Sequence, residues 1–253
     1  MTRSGDAPPP GPVLSVVVPA FNESTTVEAV VRRLRELPLR LEVIAVDDAS
    51  TDGTGEILDR LQQEGVLDRV IHQQGNRGKG AALRAGFAAA MGDVVVVQDA
   101  DLEYDPGDLP TLLDPILRGR ADAVYGSRFQ GGPRRVLFFW HSVGNRTLTL
   151  LSNMFTNLNL TDMETCYKLV RRDLLHRLPL MSDRFGFEVE ITARLAQSGA
   201  RIWELPITYS GRTYAEGKKI TWKDGCAALF HILRFNLFPP RGNWRGDGAR
   251  GPR

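Results

Sequence analysis

The sequence predicts an α/β fold with a mostly parallel sheet and helices on both faces. Between residues 14 and 125, short apolar runs that suit buried strands alternate with segments of helical periodicity. Polar residues follow several of these runs directly, as Asp99 does soon after the four valines of residues 94–97. The carboxyl ends of parallel strands share one crevice, where such folds bind ligands. We therefore expect one ligand site built from several strand ends.

The predicted elements follow one another in simple alternation. Residues 14–18 form the first strand, and Thr25 and Glu28 match a capping box at the start of the first helix. Asp105 and Pro106 are typical of an N-cap and first turn of a later helix. The other predicted strands are residues 41–46, 69–72, 94–98 and 121–125, and the other helices lie around 57–61, over 79–91 and over 188–197.

Length and composition indicate one ordinary globular protein. The chain has 253 residues, 42% of them hydrophobic, and a net charge of only +2, which gives no sign of nucleic-acid binding. Its two cysteines form no disulfide framework, so a reduced, cytoplasmic location is expected. Residues 1–12 and 240–253 are predicted to be disordered arms. No apolar run reaches the ~18 residues that a membrane span requires.

Three acidic side chains follow the strand at residues 94–98. Asp99, Asp101 and Glu103 alternate, and residues i and i+2 of an extended segment point to the same side. Crowded carboxylates repel one another unless a hard cation lies between them, and Mg²⁺ or Mn²⁺ prefers oxygen ligands together with substrate phosphates. The spacing predicts a metal site here, with a polar turn as the alternative.

The other strand ends suit a nucleoside diphosphate. The chain lacks a P-loop and has no glycine after its first strand, which argues against a P-loop NTPase and a dinucleotide-binding turn. Lys79 stands at a glycine-rich helix start, where it can face a diphosphate or simply belong to a flexible turn. Asp47 and Asp48 can accept hydrogen bonds from a ribose or base, or can form an Asx-rich turn.

Two apolar segments carry basic residues. Residues 134–140 join two arginines to five apolar residues, and residues 227–238 are apolar and aromatic with His231 and Arg234. Such segments suit the headgroup layer of a membrane. A buried helix and a packed hydrophobic loop remain equally open interpretations.

Taken together, the motifs resemble the inverting family-2 glycosyltransferases, which have the GT-A fold. The likeness spans residues 14–237 and is greatest to polyprenyl-phosphate (dolichyl-phosphate) mannosyl- and glucosyltransferases. The motifs that carry it are VVVPAFNE, VDDASTDGT, NRGKGAALRAGF, QDADLE, YGSRF and RTYAEGKKITWKDG. The resemblance implies a Rossmann-like sheet merged with an acceptor-binding half. Residues 13–128 would then bind the nucleotide sugar and metal, and residues 129–239 the acceptor and a membrane surface.

The resemblance also implies roles for individual residues. With the residues above, the predicted nucleotide-binding set is Pro19, Ala20, Phe21, Asn22, Glu23, Asp47, Asp48, Lys79, Asp99 and Ala100. The predicted metal ligands for Mg²⁺ or Mn²⁺ are Asp99, Asp101 and Glu103. The predicted catalytic residues are Asp101, Arg128, Arg212 and Lys218, the last three facing phosphates of donor and acceptor.

The acceptor remains open between a phosphate and a hydroxyl. A hydroxyl needs a general base, for which Asp162, Glu164, Glu188 and Glu190 are candidates, whereas a phosphate is already ionised and needs only cations. Helix capping or solvation is the alternative role of Glu188 and Glu190. The preferred function is transfer of a hexose from a nucleoside-diphosphate sugar to a polyprenyl phosphate, by a cytoplasmic protein peripheral to the inner membrane face. The alternatives are transfer to a soluble hydroxyl or amine, and nucleotide-sugar binding without turnover.

Overall fold

The computed structural model describes residues 13–136, 138–184, 186–213 and 222–240, except the side chains of Trp222, Lys223, Asp224 and Cys226. Lys218, the predicted arm at residues 1–12 and the predicted tail beyond residue 240 lie outside the described residues.

Seven strands form one mostly parallel sheet. They are β1 (Leu14–Ala20), β2 (Leu41–Asp47), β3 (Arg69–His72), β4 (Val94–Val97), β5 (Ala123–Ser127), β6 (Lys168–Arg171) and β7 (Ile202–Pro206). Their order across the sheet is β3-β2-β1-β4-β6-β5-β7. β6 runs antiparallel to both of its neighbours, and every other pair is parallel. The predicted α/β class with a mostly parallel sheet is confirmed.

Eight helices accompany these strands within the part of the chain that the structure describes. They are α1 (Val27–Arg35), α2 (Thr54–Gln63), α3 (Lys79–Ala89), α4 (Leu109–Leu117), α5 (Phe139–Thr156), α6 (Arg172–Leu175), α7 (Phe187–Gln197) and α8 (Trp222–Leu237). The order of strands moves outward from β1 to β3 and then returns to β4. Since parallel crossovers are right-handed, α1 and α2 lie on one face of the sheet and α3 on the other.

The reversal of strand order places a crevice between the ends of β1 and β4. These two central strands pair in parallel, and the chain leaves them toward opposite edges of the sheet. Ligands of open α/β sheets bind outside the carboxyl ends of the strands at such a point. Asn22 and Glu23 follow β1, and Asp99 and Asp101 follow β4, so the fold brings these residues to the same crevice.

Burial explains the sequence patterns of the strands. β1 and β4 are buried along their whole length, as expected of central parallel strands covered on both faces. The edge strands β3 and β7 are only partly buried. A second, smaller apolar cluster joins α7 to α8 through Val189, Ala193, Ile232 and Phe235.

The structure departs from the predicted elements in two places. The sequence predicted no strand after β5, because β6 and β7 are short and carry charged residues. The capping box is wrong: Thr26 precedes α1 without a side-chain cap bond, and Glu28 instead pairs with Arg32 and Arg60. The Asp105 prediction is confirmed, since its carboxylate accepts a bond from the Gly107 amide ahead of a 3-10 turn that leads into α4.

Candidate active site

The segment after β4 is a tight turn. Leu102 has φ of +61°, and Glu103 donates its amide to Asp101 Oδ1 at 3.2 Å. The rule that i and i+2 point together holds only for extended backbone, so it fails here. Within the described residues, no three His, Cys, Asp or Glu side chains group closely enough to hold a metal ion by themselves. The expectation that Asp99, Asp101 and Glu103 converge on one point is therefore wrong.

The Arg212 side chain instead contacts carboxylates that follow two different strands. Its guanidinium lies 2.6 Å from Asp101 Oδ2, 3.4 Å from Glu103 Oε1 and 3.6 Å from Glu23 Oε2. Glu103 also accepts the Arg212 amide at 2.8 Å and the Tyr209 hydroxyl at 2.8 Å. The segment after β7 is thereby attached to the ends of β1 and β4.

The carboxyl group of Asp101 lies in an unfavourable electrostatic position. Burial, together with the nearby charges of Asp99 and Glu103, raises its pKa from 3.8 to about 7, although Arg212 opposes this change. A positive charge added near Asp99 and Asp101 would relieve the repulsion. The carboxylate oxygens present here fit a hard divalent cation whose other ligands are phosphate oxygens.

Lys79 connects the β4 end to α7. Its Nζ lies 2.8 Å from Asp99 Oδ1 and 3.1 Å from Glu188 Oε1. The glycines on either side allow the chain to pass close by: Gly78 has φ of +98°, and a Cβ on Gly80 would lie 2.2 Å from the Ser182 carbonyl oxygen. Lys79 therefore lies at the predicted sheet edge, and Glu188 is buried rather than solvated.

The ends of β1 and β2 are held together by side chains. Pro19 and Ala20 are buried at the end of β1, and Asn22 Oδ1 accepts the Thr51 amide at 2.9 Å. The Asp47 carboxylate accepts the Ser50 amide at 3.0 Å and contacts His72 at 3.1 Å.

Asp48 accepts the amides of Arg77 and Gly78 at 2.8 and 2.7 Å. Both of its oxygens therefore fix the turn before α3, and neither caps α2, which was the alternative interpretation of this acid. Phe21 is partly exposed beside these residues, and Ala100 is buried.

Arg128 forms an ion pair with a buried carboxylate. Its Nε and Nη2 bond the two oxygens of Asp162 at 2.6 and 2.7 Å, and Asp162 is fully buried. Glu204 fixes this loop in turn by accepting the amides of Thr161 and Asp162. Since Asp162 already neutralises Arg128, it is not available as a general base.

Three guanidinium groups surround one aromatic ring next to that pair. Arg128, Arg134 and Arg146 lie 5.9, 5.3 and 5.6 Å from the centre of the Phe129 ring. Arg134 and Arg146 come from the loop after β5 and from α5, and the sequence does not show that they meet. The result is a compact basic cluster at the end of β5.

The remaining candidate acids differ in their surroundings. Glu190 is fully buried and accepts the amides of Met181 and Ser182 at 2.9 and 2.7 Å, so it supports a loop. Burial and the charge of Glu188 raise the pKa of Glu164 to about 7. Burial lowers the pKa of Lys168, which donates to the Thr165 carbonyl.

The structure thus brings most of the predicted residues to one crevice. Glu23, Asp101, Glu103 and Arg212 meet directly, and Lys79 with Asp99 adjoins them. Tyr209 was missed by the sequence analysis. No local pattern in the sequence pointed to it, because its contact with Glu103 is set by the fold.

The surface of α5 has an inverted pattern. Its buried residues are the polar Thr149 and Ser152. Its exposed residues include Phe139 at 69%, Trp140 at 77%, Leu150 at 60% and Met154 at 71%. A helix that packs only on its own protein shows the opposite arrangement. In the described part of the chain, no helix is long and apolar enough to cross a bilayer.

The comparisons with known proteins agree with this architecture. A profile described as glycosyl transferase family 2 matches residues 15–178. The chain is 33% identical over 247 residues to the undecaprenyl-phosphate mannosyltransferase of Micrococcus luteus, covering 92% of this chain and 97% of that protein. It is 31% identical over 245 residues to the polyprenol monophosphomannose synthase of Mycolicibacterium smegmatis, covering 93% and 89%.

A solved structure shows the same fold. Glucosyl-3-phosphoglycerate synthase from Mycobacterium tuberculosis, in complex with Mn²⁺, UDP and glucosyl-3-phosphoglycerate, superimposes with a TM-score of 0.68 at 25% identity. The superposition covers 92% of this chain and 82% of that one. The predicted GT-A fold is confirmed by this match.

Proposed function

Since this chain belongs to glycosyl transferase family 2 and is a glycosyltransferase, we propose that it moves a hexose from a nucleoside-diphosphate sugar to a polyprenyl phosphate. The reaction takes place at the cytoplasmic face of a membrane and inverts the configuration at the sugar carbon. Nucleotide-sugar binding without turnover, the third sequence-based hypothesis, is set aside by the family membership.

The donor occupies the crevice between β1 and β4. Asp47 and Asn22 border the nucleoside, and Lys79 and Arg212 lie on either side of the diphosphate. Asp99 and Asp101 are the residues that would hold a divalent cation, with phosphate oxygens of the donor as its other ligands. When bound, Mg²⁺ or Mn²⁺ supplies positive charge that stabilises the diphosphate leaving group.

The basic cluster around Phe129 is the main observation in favour of a phosphate acceptor. Three guanidinium groups within 6 Å of one ring repel each other unless an anion lies among them. Asp162 neutralises Arg128, and no carboxylate among the described residues pairs with Arg134 or Arg146, which leaves both for a phosphate. The guanidinium group of an arginine can donate two parallel hydrogen bonds to two oxygens of one phosphate. A lipid phosphate fits this cluster.

The exposed apolar side of α5 supports a lipid-bound acceptor. Phe139, Trp140, Leu150 and Met154 lie along one side of the helix that also contributes Arg146. Aromatic and basic residues side by side are typical of surfaces that enter the headgroup layer. Contact with a membrane through this face would present the polyprenyl phosphate to the arginines from the lipid.

The chemistry then needs no protein base. A phosphate oxygen of the acceptor attacks the sugar carbon from the side opposite the diphosphate, the new carbon–oxygen bond forms, and the nucleoside diphosphate leaves. Arg134 and Arg146 hold the acceptor phosphate and screen its repulsion from the donor. Lys79 and Arg212 stabilise the charge that develops on the departing diphosphate.

A soluble hydroxyl acceptor is the second candidate, and one observation favours it. Glu188 is a buried carboxylate that contacts Lys79 beside the donor crevice, which is a position suitable for a general base. The solved relative from Mycobacterium tuberculosis contains a glucosylated phosphoglycerate, a small soluble product. Glu190 is not a candidate, because its carboxylate supports the loop at residues 181–182.

A product assay tests the proposal. Purified protein is incubated with Mg²⁺ or Mn²⁺ and single nucleotide sugars, with polyprenyl phosphate, phosphoglycerate or simple sugars as acceptors. Mass spectrometry should detect a hexose on the polyprenyl phosphate and none on the others. A product formed only on a soluble acceptor would contradict it.

A further inference from the structure

A separate cavity lies between α8 and the loop that precedes α7. Its volume is about 340 Å³, and its lining includes Ser182, Arg184, Gly186, His231 and Arg234. None of these residues belongs to the donor crevice or to the basic cluster around Phe129. The cavity is large enough for a phosphate group and part of its alcohol.

The lining of this cavity is cationic and has unused hydrogen-bonding atoms. Among the described residues, Arg184 and Arg234 form no ion pair, while the lining acid Asp183 pairs with Arg84. Ser182 Oγ and His231 Nδ1 are buried and have no hydrogen-bond partner in the described part of the chain. Buried polar atoms without partners are uncommon and indicate a missing ligand or water.

The position of the imidazole ring is fixed by its neighbours. The His231 ring stacks on Phe235 with centroids 5.4 Å apart, and a Cβ on Gly186 would lie 2.8 Å from it. Burial and the charge of Arg234 lower the pKa of His231, so the ring acts as a neutral hydrogen-bond partner. The positive charge at the cavity therefore comes from the two arginines.

The cavity opens beside an exposed apolar stripe. Phe230, Leu233 and Leu237 follow one another at helical spacing on α8 and are all exposed. Arg234 lies at the border between this stripe and the cavity, since it follows Phe230 by four residues. A phosphate that reaches the arginines from this side would come from a molecule whose remainder is apolar.

We propose that this cavity binds the phosphate headgroup of an anionic membrane phospholipid, separately from the acceptor phosphate. The proposal rests on the proposed membrane-face function and adds a second lipid contact to it. The headgroup bonds Arg184, Arg234, Ser182 and His231, while its acyl chains lie along the apolar stripe of α8.

The site also lies next to the donor crevice through its loop. Ser182 and Asp183 accept bonds from Arg84 and from the Ala81 amide at the start of α3, the helix that carries Lys79. Residues 182–184 therefore connect the proposed headgroup site to the start of α3.

Vesicle binding with matched variants tests the proposal. The full chain is floated with phosphatidylcholine vesicles that contain or lack phosphatidylglycerol, as wild type and as Arg234→Gln, Arg184→Gln and His231→Phe. Arg120→Gln, at an exposed arginine after α4, is the charge-matched control. Phosphatidylglycerol should increase the vesicle binding of wild type and Arg120→Gln. In each cavity variant this increase should be about tenfold smaller.

Three further arms separate the possible occupants and functions. Equal phosphatidylglycerol dependence of vesicle binding in all variants would overturn the proposal. Occupation of the cavity by inorganic phosphate alone would also overturn it. A raised KM for detergent-dispersed polyprenyl phosphate in Arg234→Gln would show that the acceptor is the occupant, which also overturns it. Transfer to polyprenyl phosphate is measured in the same samples, so a failure of the proposed function is visible separately as loss of product from wild type.

Discussion

At the scale of single residues, the site is defined by a buried carboxyl group that neighbouring carboxylates repel. The charges of Asp99 and Glu103 act on Asp101, while Arg212 pairs with Asp101 and Lys79 pairs with Asp99. Such crowding weakens the folded state whenever Asp101 is ionised. It is also the arrangement that a cation and a diphosphate would stabilise.

This crowding predicts a pH-dependent stability in EDTA. The pKa of Asp101 is about 7 in the folded protein and 3.8 without its surroundings, so the folded state keeps a proton that the unfolded state has lost. The free energy of unfolding should therefore fall as pH rises from about 4 to about 7, in the same direction as for Glu164. Thermal melts of wild type and Asp101→Asn measure it, with the exposed Asp114→Asn as control.

The variant should show a shallower decline with pH than wild type. Above about pH 7, added Mg²⁺ should raise the Tm of wild type and Asp114→Asn but leave that of Asp101→Asn unchanged, because a ligand that binds only the folded state stabilises it. Identical pH profiles for all three proteins would show that Asp101 is not a crowded acid.

A second prediction at this scale distinguishes the two acceptor classes. If the acceptor is a phosphate, Glu188→Gln should keep a substantial rate, because no general base is required. Arg146→Ala should lower kcat/KM for the acceptor by about tenfold or more, while Arg120→Ala should have no effect. Steady-state kinetics with a fixed donor concentration measure both.

The choice of Arg146 matters for this experiment. Arg128→Ala would leave the fully buried carboxylate of Asp162 unpaired, at a cost of about 3–5 kcal/mol, and would confuse activity with folding. If Glu188→Gln is inactive while Arg146→Ala lowers kcat/KM only slightly, the acceptor is a hydroxyl rather than a phosphate.

At the scale of elements, α5 and α8 carry apolar residues on their exposed sides. The sequence predicted apolar-basic segments at residues 134–140 and 227–238, but it left open whether they were buried in the protein. The structure shows that Trp140 and Phe238 are more than three-quarters exposed. Periodicity alone could not show that these residues are exposed, because a buried helix and a helix at a membrane surface can have the same apolar content.

The exposed aromatic residues predict membrane association. Changing Phe139 and Trp140 together to Ser should weaken sedimentation with polyprenyl-phosphate vesicles, since a fully buried aromatic side chain contributes ~1.5–3 kcal/mol. Met91→Ser, also at an exposed apolar residue but after α3, is the control and should bind as wild type does. Unchanged binding of the double variant, with its Tm preserved, would remove α5 from the membrane contact.

At the scale of the whole molecule, one sheet joins the two predicted halves. β6 lies between β4 and β5, and β7 pairs with β5, so residues on both sides of the boundary at 128 share a core. This arrangement attaches Arg212 to the donor side and Asp162 to Arg128. The two predicted halves are therefore joined by one continuous sheet and one core.

The same topology separates what could be predicted from what could not. The alternation of strands and helices up to β5 is local in sequence, so periodicity and turn residues were sufficient for it. The antiparallel β6 depends on pairing with strands more than forty residues away, and its short span gives little local signal. The contacts of Arg212 with Glu23 and Asp101 are likewise set by the fold, as is the meeting of Arg134 and Arg146 at Phe129.

A matched pair of acceptors distinguishes transfer to a lipid phosphate from transfer to a hydroxyl. Polyprenyl phosphate and the corresponding polyprenol differ only in the phosphate, and both are offered with the same radiolabelled nucleotide sugar, in Mg²⁺ or in EDTA. A metal-dependent transferase that acts on a lipid phosphate should give labelled lipid from polyprenyl phosphate in Mg²⁺, and little or none from the alcohol or in EDTA. Equal labelling of the polyprenol, or full activity in EDTA, would contradict it.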